Sequence, residues 1–229
     1  MVLQVVPQTF RCFRFPGKGE GMNYPVHDVF YAAIMGYFLG SLPAGVIAGK
    51  IKGVDLRKEG SGNIGFTNAY RVLGKDWSGK LLSVMVLLWD MGKGLLATML
   101  AASFLKPHEA VAYAALFSVL GHLYPVWLKF HGGKGVAVGF GAILGVCPPL
   151  GLILIVVWVT IFAFTRISSL SALVAYFLLP ILASALVRTH HLDPVNFPPM
   201  PMISILIWWH HRENIRRLVS GNEKTLKKS

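Results

Sequence analysis

Five short groups of residues in this chain have types and spacings that suit work on an anion. The first is Gly60-Ser61-Gly62-Asn63-Ile64-Gly65-Phe66-Thr67-Asn68, followed by Arg71. Its glycines permit positive φ and close backbone approach, and successive N–H groups in such a loop can form an anion-binding nest. Ser61, Asn63, Thr67 and Asn68 add hydroxyl and amide groups, and Arg71 adds a planar fork matched to phosphate. A loop that is merely flexible needs no polar cluster ending in arginine. Gly60, Gly62, Asn63, Gly65, Thr67 and Asn68 therefore read as substrate-binding positions around a phosphomonoester.

The second group is Gly132-Gly133-Lys134-Gly135, placed directly before an apolar stretch. If a helix begins at Gly135 and Val136, its free N–H groups bind anions and Lys134 adds a full charge. A lysine that only anchors a membrane edge would not need the flanking glycines Gly133 and Gly135. The spacing is not that of a P-loop, and no Ser or Thr follows the lysine. The third group is Gly121-His122-Leu123-Tyr124-Pro125, where His122 suits a general base, a donor to phosphate or a packed interfacial histidine. In the fourth, Asp90 and Lys93 stand at i and i+3, on one helix face. Charges inside an apolar helix mark function or a mutual pair, and here each supplies the other's partner. The fifth, His210-His211-Arg212-Glu213-Asn214, puts His211 and Asn214 on one face by the same rule, unless the segment is simply a solvated basic tail.

The elements that position these groups are membrane helices. The sequence is 54% hydrophobic and only 14% charged, with a mean hydropathy of +0.57, whereas soluble domains carry about 25% charged residues. Spanning the ~30 Å hydrocarbon layer takes ~20 apolar residues. Seven segments qualify in whole or part: Asp28–Gly49, Leu81–Leu105, Glu109–Leu128, Val136–Cys147, Leu150–Phe164, Leu170–Val187 and Pro198–Trp209. The fourth and seventh are short, which is tolerated where a segment is buried against protein or lines a cavity. Gly36, Gly40, Ala44, Gly45, Ala48 and Gly49 give the first segment a small-residue face for close helix packing.

The excess of 22 Lys+Arg over 10 Asp+Glu is the balance of many nucleic-acid-binding proteins. Here, however, the basic residues occupy short loops between apolar segments, where they set orientation. Lys50, Lys52, Arg57, Lys58, Arg71, Lys75, Lys80, Lys129, Lys134, Arg166 and the tail from Arg212 to Lys228 fall on one side, against Arg11, Arg14, Lys18, Lys106 and Arg188 on the other. This predicts an all-α integral membrane bundle of seven helices with the N-terminus outside and the C-terminus cytoplasmic. No nucleic-acid partner is expected. All the chemical groups except Asp90/Lys93 then converge on the cytoplasmic face. Cys12 and Cys147 lack metal-ligand spacing, and Cys147, in an apolar stretch, reads as a packed small hydrophobe. No metal-ligand cluster and no nucleotide motif stands out, so no cofactor is expected. Residues 1–22 lack the apolar core of a signal peptide and read as a disordered extension or an over-extended start, leaving 23–229 as one membrane domain.

Several ordered motifs resemble those of the bacterial membrane glycerol-3-phosphate acyltransferases that use acyl phosphate, the PlsY family. The resemblance runs from about Tyr31 to Glu223. It rests on Gly40-Ser41-Leu42-Pro43, Gly60–Asn68 with Arg71, Asp90 with Lys93-Gly94, Gly121-His122 with Pro125, Phe130 with Gly132–Ala137, and His211–Asn214. It implies seven helices, an active site facing the cytoplasm at the inner membrane, and active-site roles for Ser61, Arg71, Lys134, His211 and Asn214. It also implies the reaction of acyl phosphate with glycerol 3-phosphate to give 1-acyl-glycerol 3-phosphate and inorganic phosphate, among membrane lipids and with a cytosolic acyl-phosphate synthase as supplier. Phe66, His131 and Val138 depart from the family pattern, which has a small residue, a basic residue and Thr there. Either His211 or the substrate's own phosphate, with a second pKa of about 6, would take the hydroxyl proton. No His stands five residues before an Asp, and no Gly-x-Ser-x-Gly elbow is present, so two other acyl-transfer chemistries lack their signatures. A transporter of organic phosphates is the competing class, but it would place anion ligands near the bilayer midplane. A scaffold protein, the third possibility, would need no such polar loop.

Overall fold

The computed structural model describes residues 26–105 and 108–226. Expectations for residues 1–22, including Cys12 and the charges there, lie outside the described residues. Among these residues the structure is wholly helical: α1 Val26–Gly40, α2 Ala44–Ile51, α3 Phe66–Leu73, α4 Trp77–Phe104, α5 His108–Leu123, α6 Val136–Val146, α7 Pro148–Thr165, α8 Ser168–Arg188, α9 Pro199–His210 and α10 Arg212–Val219. Five stretches are long and apolar enough to cross a membrane: His27–Ile51, α4, Ala110–Leu128, α7 and α8. The 11 residues of α6 rise only ~16 Å, too little to span the bilayer.

Two expectations need correction. The first apolar segment is not one helix, because it breaks at Ser41-Leu42-Pro43 between α1 and α2. Proline has no N–H to donate and pushes the residue before it out of the helical region. The Val46 N–H bonds the Pro43 carbonyl instead of that of Leu42, and Lys93 Nζ takes the freed Leu42 carbonyl at 3.0 Å. The second correction concerns Thr67, Asn68 and Arg71, which were read as loop residues and stand on α3. This eight-residue helix starts at Gly65 and buries Asn68, Ala69 and Leu73. In addition, α4 starts a turn before the expected Leu81. The Asp76 carboxylate caps it by accepting the Gly79 N–H at 2.6 Å, and N-cap acceptors lengthen helices in this way.

Helix α5 runs through the centre, with Ala110, Ala112, Ala114, Ala115 and Val119 fully buried. On α4, α7 and α8, Leu88, Val156, Val159, Phe164, Phe177 and Ile181 are exposed, as befits surfaces facing lipid. Cys147 is fully buried where α6 meets α7. The small-residue face of α1 packs on α5, where a Cβ at Gly40 would collide with the Ser118 backbone carbonyl. A backbone atom cannot swing aside, so Gly40→Leu must separate the two helices. Its expected cost is on the order of 1–3 kcal/mol, measured as a lower Tm in detergent; an unchanged Tm would show that the α1–α5 contact is dispensable.

Candidate functional site

The ends of several helices surround one cavity of about 200 Å³. Its polar wall holds Ser61, Asn63, Arg71, Lys134, His211 and Asn214, together with Thr67, Asn68, Gly65 and Gly135. Its apolar wall holds Leu87 and Met91 of α4, Phe140 of α6, and Ile155, Trp158 and Val159 of α7. Segments distant in sequence thus converge as expected. Gly60, Gly62 and Gly133 do not line the cavity; they shape the loops beside it.

The Gly60–Asn68 segment works differently from the expected nest. The Ser61 N–H donates to Asn68 Oδ1 at 2.8 Å and the Gly62 N–H to the Glu59 carbonyl, so both are already engaged. The Asn68 amide donates to the Leu56 and Glu59 carbonyls at 3.1 and 3.0 Å. Asn68 therefore staples the loop from within, and Gly60 and Gly62 supply the positive φ that the turn needs. Thr67 Oγ1 pairs with Ser168 Oγ at 2.9 Å, tying α3 to α8. What the segment offers the cavity is side chains, above all Arg71. That guanidinium is half-buried and makes no hydrogen bond or ion pair among the described residues. Burial lowers its pKa, with Glu223 acting in opposition.

Lys134 follows Gly133, whose N–H bonds the His122 carbonyl at 3.0 Å and so lays the loop over the end of α5. Gly135, at φ 82°, opens α6, and Gly135, Val136 and Ala137 put the first turn of that helix on the cavity wall. Lys134 Nζ donates to Asn214 Oδ1. Burial lowers the Lys134 pKa to about 8, helped by the Arg217 charge, so this ammonium lacks the solvation that an anion would replace.

His211 is the joint between α9 and α10 and is buried. Its Nδ1 stands 2.7 Å from the Ile207 carbonyl; a carbonyl only accepts, so Nδ1 carries the proton and Nε2 the lone pair. Burial, then the Lys134 charge, depresses the His211 pKa to about 4. The ring is neutral at pH 7.

The Asp90/Lys93 pair does not stand apart from the site as the sequence led one to expect. Lys93 Nζ lies 2.8 Å from Asp90 Oδ1 and 2.9 Å from His122 Nδ1, and both Asp90 and His122 line the cavity. Its floor therefore reaches the middle of α4.

Sequence reasoning missed Ser168, Ser169, Arg217 and Glu223, all of which line the cavity. Glu223 accepts from Asn214 Nδ2 at 2.6 Å, from Ser169 Oγ at 2.8 Å and from Arg217 Nε at 2.7 Å. Burial raises its pKa, but these donors outweigh burial and the net shift is downward. Lys224 Nζ reaches the Gly60 carbonyl at 2.6 Å, so residues 223 and 224 clasp the first loop to α10. The available signals were an isolated acid in a basic tail and a serine pair opening an apolar helix. Glu223→Ala should lower kcat/KM by about 10-fold, as a charged hydrogen-bond network is worth ~1.5–3 kcal/mol per contact. It should also lower the Tm at pH 7. The stabilisation by Glu223 is present above the ordinary glutamate pKa and fades as pH falls through the depressed value, so the wild-type advantage should vanish in acid. A variant as stable and active as wild type would show the clasp to be idle.

Of the departures from the family pattern, Phe66 lies on the cavity wall, Val138 is fully buried in the core, and exposed His131 turns its Nδ1 to the Lys129 carbonyl at 2.6 Å. Among the described residues no three His, Cys, Asp or Glu side chains gather as a metal site would require.

A helical bundle with five stretches long and apolar enough to cross a membrane, around a cavity lined by both cationic and apolar side chains, defines an integral membrane protein. The chain belongs to the glycerol-3-phosphate acyltransferase family, whose model matches residues 30–221. It is 44% identical over 197 residues to a glycerol-3-phosphate acyltransferase of Agrobacterium fabrum, covering 85% of this chain and 90% of that one. It is 40% identical to one of Synechococcus sp., covering 82% and 90% respectively. The crystal structure of PlsY (YgiH), an integral membrane glycerol 3-phosphate acyltransferase, in its glycerol 3-phosphate form superposes with a TM-score of 0.77 at 38% identity, covering 87% of this chain and 96% of that one. The lysophosphatidic acid form of that protein gives a TM-score of 0.74 at 36% identity.

Proposed function

We propose that the protein transfers an acyl group from acyl phosphate to the 1-hydroxyl of glycerol 3-phosphate, yielding 1-acyl-glycerol 3-phosphate and inorganic phosphate. The observation that carries this is the half-buried guanidinium of Arg71, without a hydrogen bond among the described residues, lining the same cavity as Lys134 and as apolar side chains from α4, α6 and α7. Such a cavity suits a molecule with a phosphate at one end and a hydrocarbon at the other. An acyl phosphate already carries an activated carbonyl and a good leaving group. The protein need mainly align two anions and offset their repulsion.

Arg71, with Ser61 and Asn63, holds one phosphate. Lys134, Asn214 and the first turn of α6 hold the other, and the acyl chain lies along Met91, Phe140 and Trp158. A base works best with a pKa near the working pH, so His211 near 4 is a weak one. The phosphate of glycerol 3-phosphate, with a second pKa of about 6, takes the hydroxyl proton, and His211 Nε2 accepts a hydrogen bond from substrate. His211→Gln should therefore keep most of the rate; a large loss with binding intact would make His211 the base.

Residues 23–229 act as one membrane unit of seven spanning or partly inserted segments, with the N-terminus outside and the cavity open to the cytoplasm at the inner membrane. The Lys and Arg residues of the loops at the cavity end support that orientation. A cytosolic acyl-phosphate synthase supplies the donor. Transport of organic phosphates is less well supported, because Lys134, His211 and Arg71 stand at or beyond helix ends rather than in mid-helix.

The test is phosphate release by the purified protein from palmitoyl phosphate, with and without glycerol 3-phosphate. Release that depends on glycerol 3-phosphate supports the reaction; none across several chain lengths overturns it. A pH dependence is also expected. Glycerol 3-phosphate favours charged Lys134, whose pKa burial lowers to about 8. Affinity should weaken by up to one proton's worth, a factor of ~10 per pH unit, as pH rises above 8. A flat affinity from pH 7 to 9.5 would remove Lys134 from the phosphate site.

A further inference from the structure

His122 is 94% shielded from solvent, since only 6% of it is exposed, yet it lines the cavity. Its two ring nitrogens are in different circumstances. Nδ1 lies 2.9 Å from Lys93 Nζ. Lys93 Nζ also lies 3.0 Å from the Leu42 carbonyl and 2.8 Å from Asp90 Oδ1. An ammonium has three N–H groups and no lone pair, and these three acceptors use all of them. An ammonium hydrogen aimed at Nδ1 from 2.9 Å needs a lone pair there to receive it. The 3.5 Å separation of Nδ1 from Asp90 is too long to compete. His122 is thus fixed as the neutral ring with its proton on Nε2.

Nε2 makes no hydrogen bond among the described residues. It sits directly under Gly133, where any side chain would strike it. The flanking cavity residues locate its role. Asp90, Leu87, Met91 and Lys134 line the same cavity as His122. The ring thus shares one cavity with apolar groups and with a cation, and the carbonyl joining hydrocarbon to phosphate needs both kinds of neighbour.

We propose that His122 Nε2–H is a hydrogen-bond donor to the acyl carbonyl oxygen, held ready by Lys93 as a positioning residue; this rests on the acyl-transfer reading above. The glycerol 3-phosphate oxygen forms a bond to the carbonyl carbon, and the carbonyl π pair moves onto its oxygen, where Nε2–H and the first turn of α6 stabilise it. The pair then returns, the bond from carbon to phosphate oxygen breaks, and inorganic phosphate departs with that bond's electrons. The hydroxyl proton leaves on a substrate phosphate oxygen. His122 lends a hydrogen bond and transfers no proton, which removes the general-base role from the choices open in the sequence.

Two measurements on the full-length detergent-solubilised protein test this. The first is the nitrogen-15 spectrum of histidine-labelled protein without substrate, with His122 assigned by its loss in His122→Gln. A protonated Nε2 and bare Nδ1 from pH 6.5 to 9, reversed or charged in Lys93→Met, are expected; a protonated Nδ1 in wild type overturns the lock. The second is kinetic. His122→Leu should lower kcat about 100-fold, as loss of one oxyanion donor does, with KM for glycerol 3-phosphate within about 3-fold. His122→Gln, whose amide N–H falls near Nε2, should recover to within about 10-fold of wild type. Equal losses in both variants, or a change in KM alone, overturn the role of His122. An inactive wild type instead overturns acyl transfer itself and leaves the tautomer result standing.

Discussion

Lys134→Met is expected to lower kcat/KM for acyl transfer by about 1,000-fold, the upper range for removing one preorganised charged donor from a desolvated site. Methionine retains the volume of the stem, so the loop over α5 keeps its packing and Tm should stay near wild type. What disappears is the cation at the head of α6, together with its hydrogen bond to Asn214. Two anionic substrates then meet with less to offset their repulsion. Phosphate release under kcat/KM conditions reads the effect directly. A loss under 10-fold would mean that Lys134 orients the membrane edge and takes no part in the site.

Arg71→Ala is the second large effect, expected at about 100- to 1,000-fold in kcat/KM, with most of it in KM for glycerol 3-phosphate. Because Arg71 makes no hydrogen bond or ion pair among the described residues, its removal breaks no internal bond and gives up only the longer-range pull of Glu223, so the folded state should not suffer. The same change should therefore raise or leave unchanged the Tm without ligand, while abolishing stabilisation by added glycerol 3-phosphate. Arg71→Lys should recover only part of the affinity, since an ammonium gives a point charge where the guanidinium gives a two-pronged fork. Full recovery by lysine would show that only charge matters there, and a stabilising effect of glycerol 3-phosphate that survives in Arg71→Ala would place the phosphate elsewhere.

Those two residues were legible in the sequence because their settings are local. Lys134 sits between glycines ahead of an apolar run, and Arg71 closes a polar cluster. The long apolar helices were legible for a similar reason, since hydrocarbon thickness dictates their length. The break at Pro43 was less so: the glycine-rich face of Asp28–Gly49 reads as one helix unless the proline is given its full weight. Helix α3 was hidden because its eight residues lack the length that makes periodicity visible. Glu223 and Ser168 were hidden for another reason. Their roles depend on contacts made across 54 and 101 residues of chain, and nothing in the adjacent sequence encodes such a meeting. Asn68 reads as part of the loop, yet it stands on α3 and fastens the loop from there, because spacing tells which residues are near in sequence, not which of them hold a turn shut.

The coupling of Asp90 to Lys93 also bears on how the chain enters the membrane. When α4 leaves the ribosome, α5 and His122 follow behind it in the chain and cannot yet pack on it. A lone lysine or aspartate at the middle of a hydrophobic helix costs about 2.5–3.5 kcal/mol at the insertion machinery. With the two one turn apart, the helix can enter as a neutral unit and keep its bonding needs within itself. The carbonyl left free at Leu42 is already available, because α1 and α2 precede α4 in synthesis. Asp90→Asn would therefore be felt first during biogenesis, as molecules whose fourth helix stays out of the bilayer, before any of them could be assayed as an enzyme.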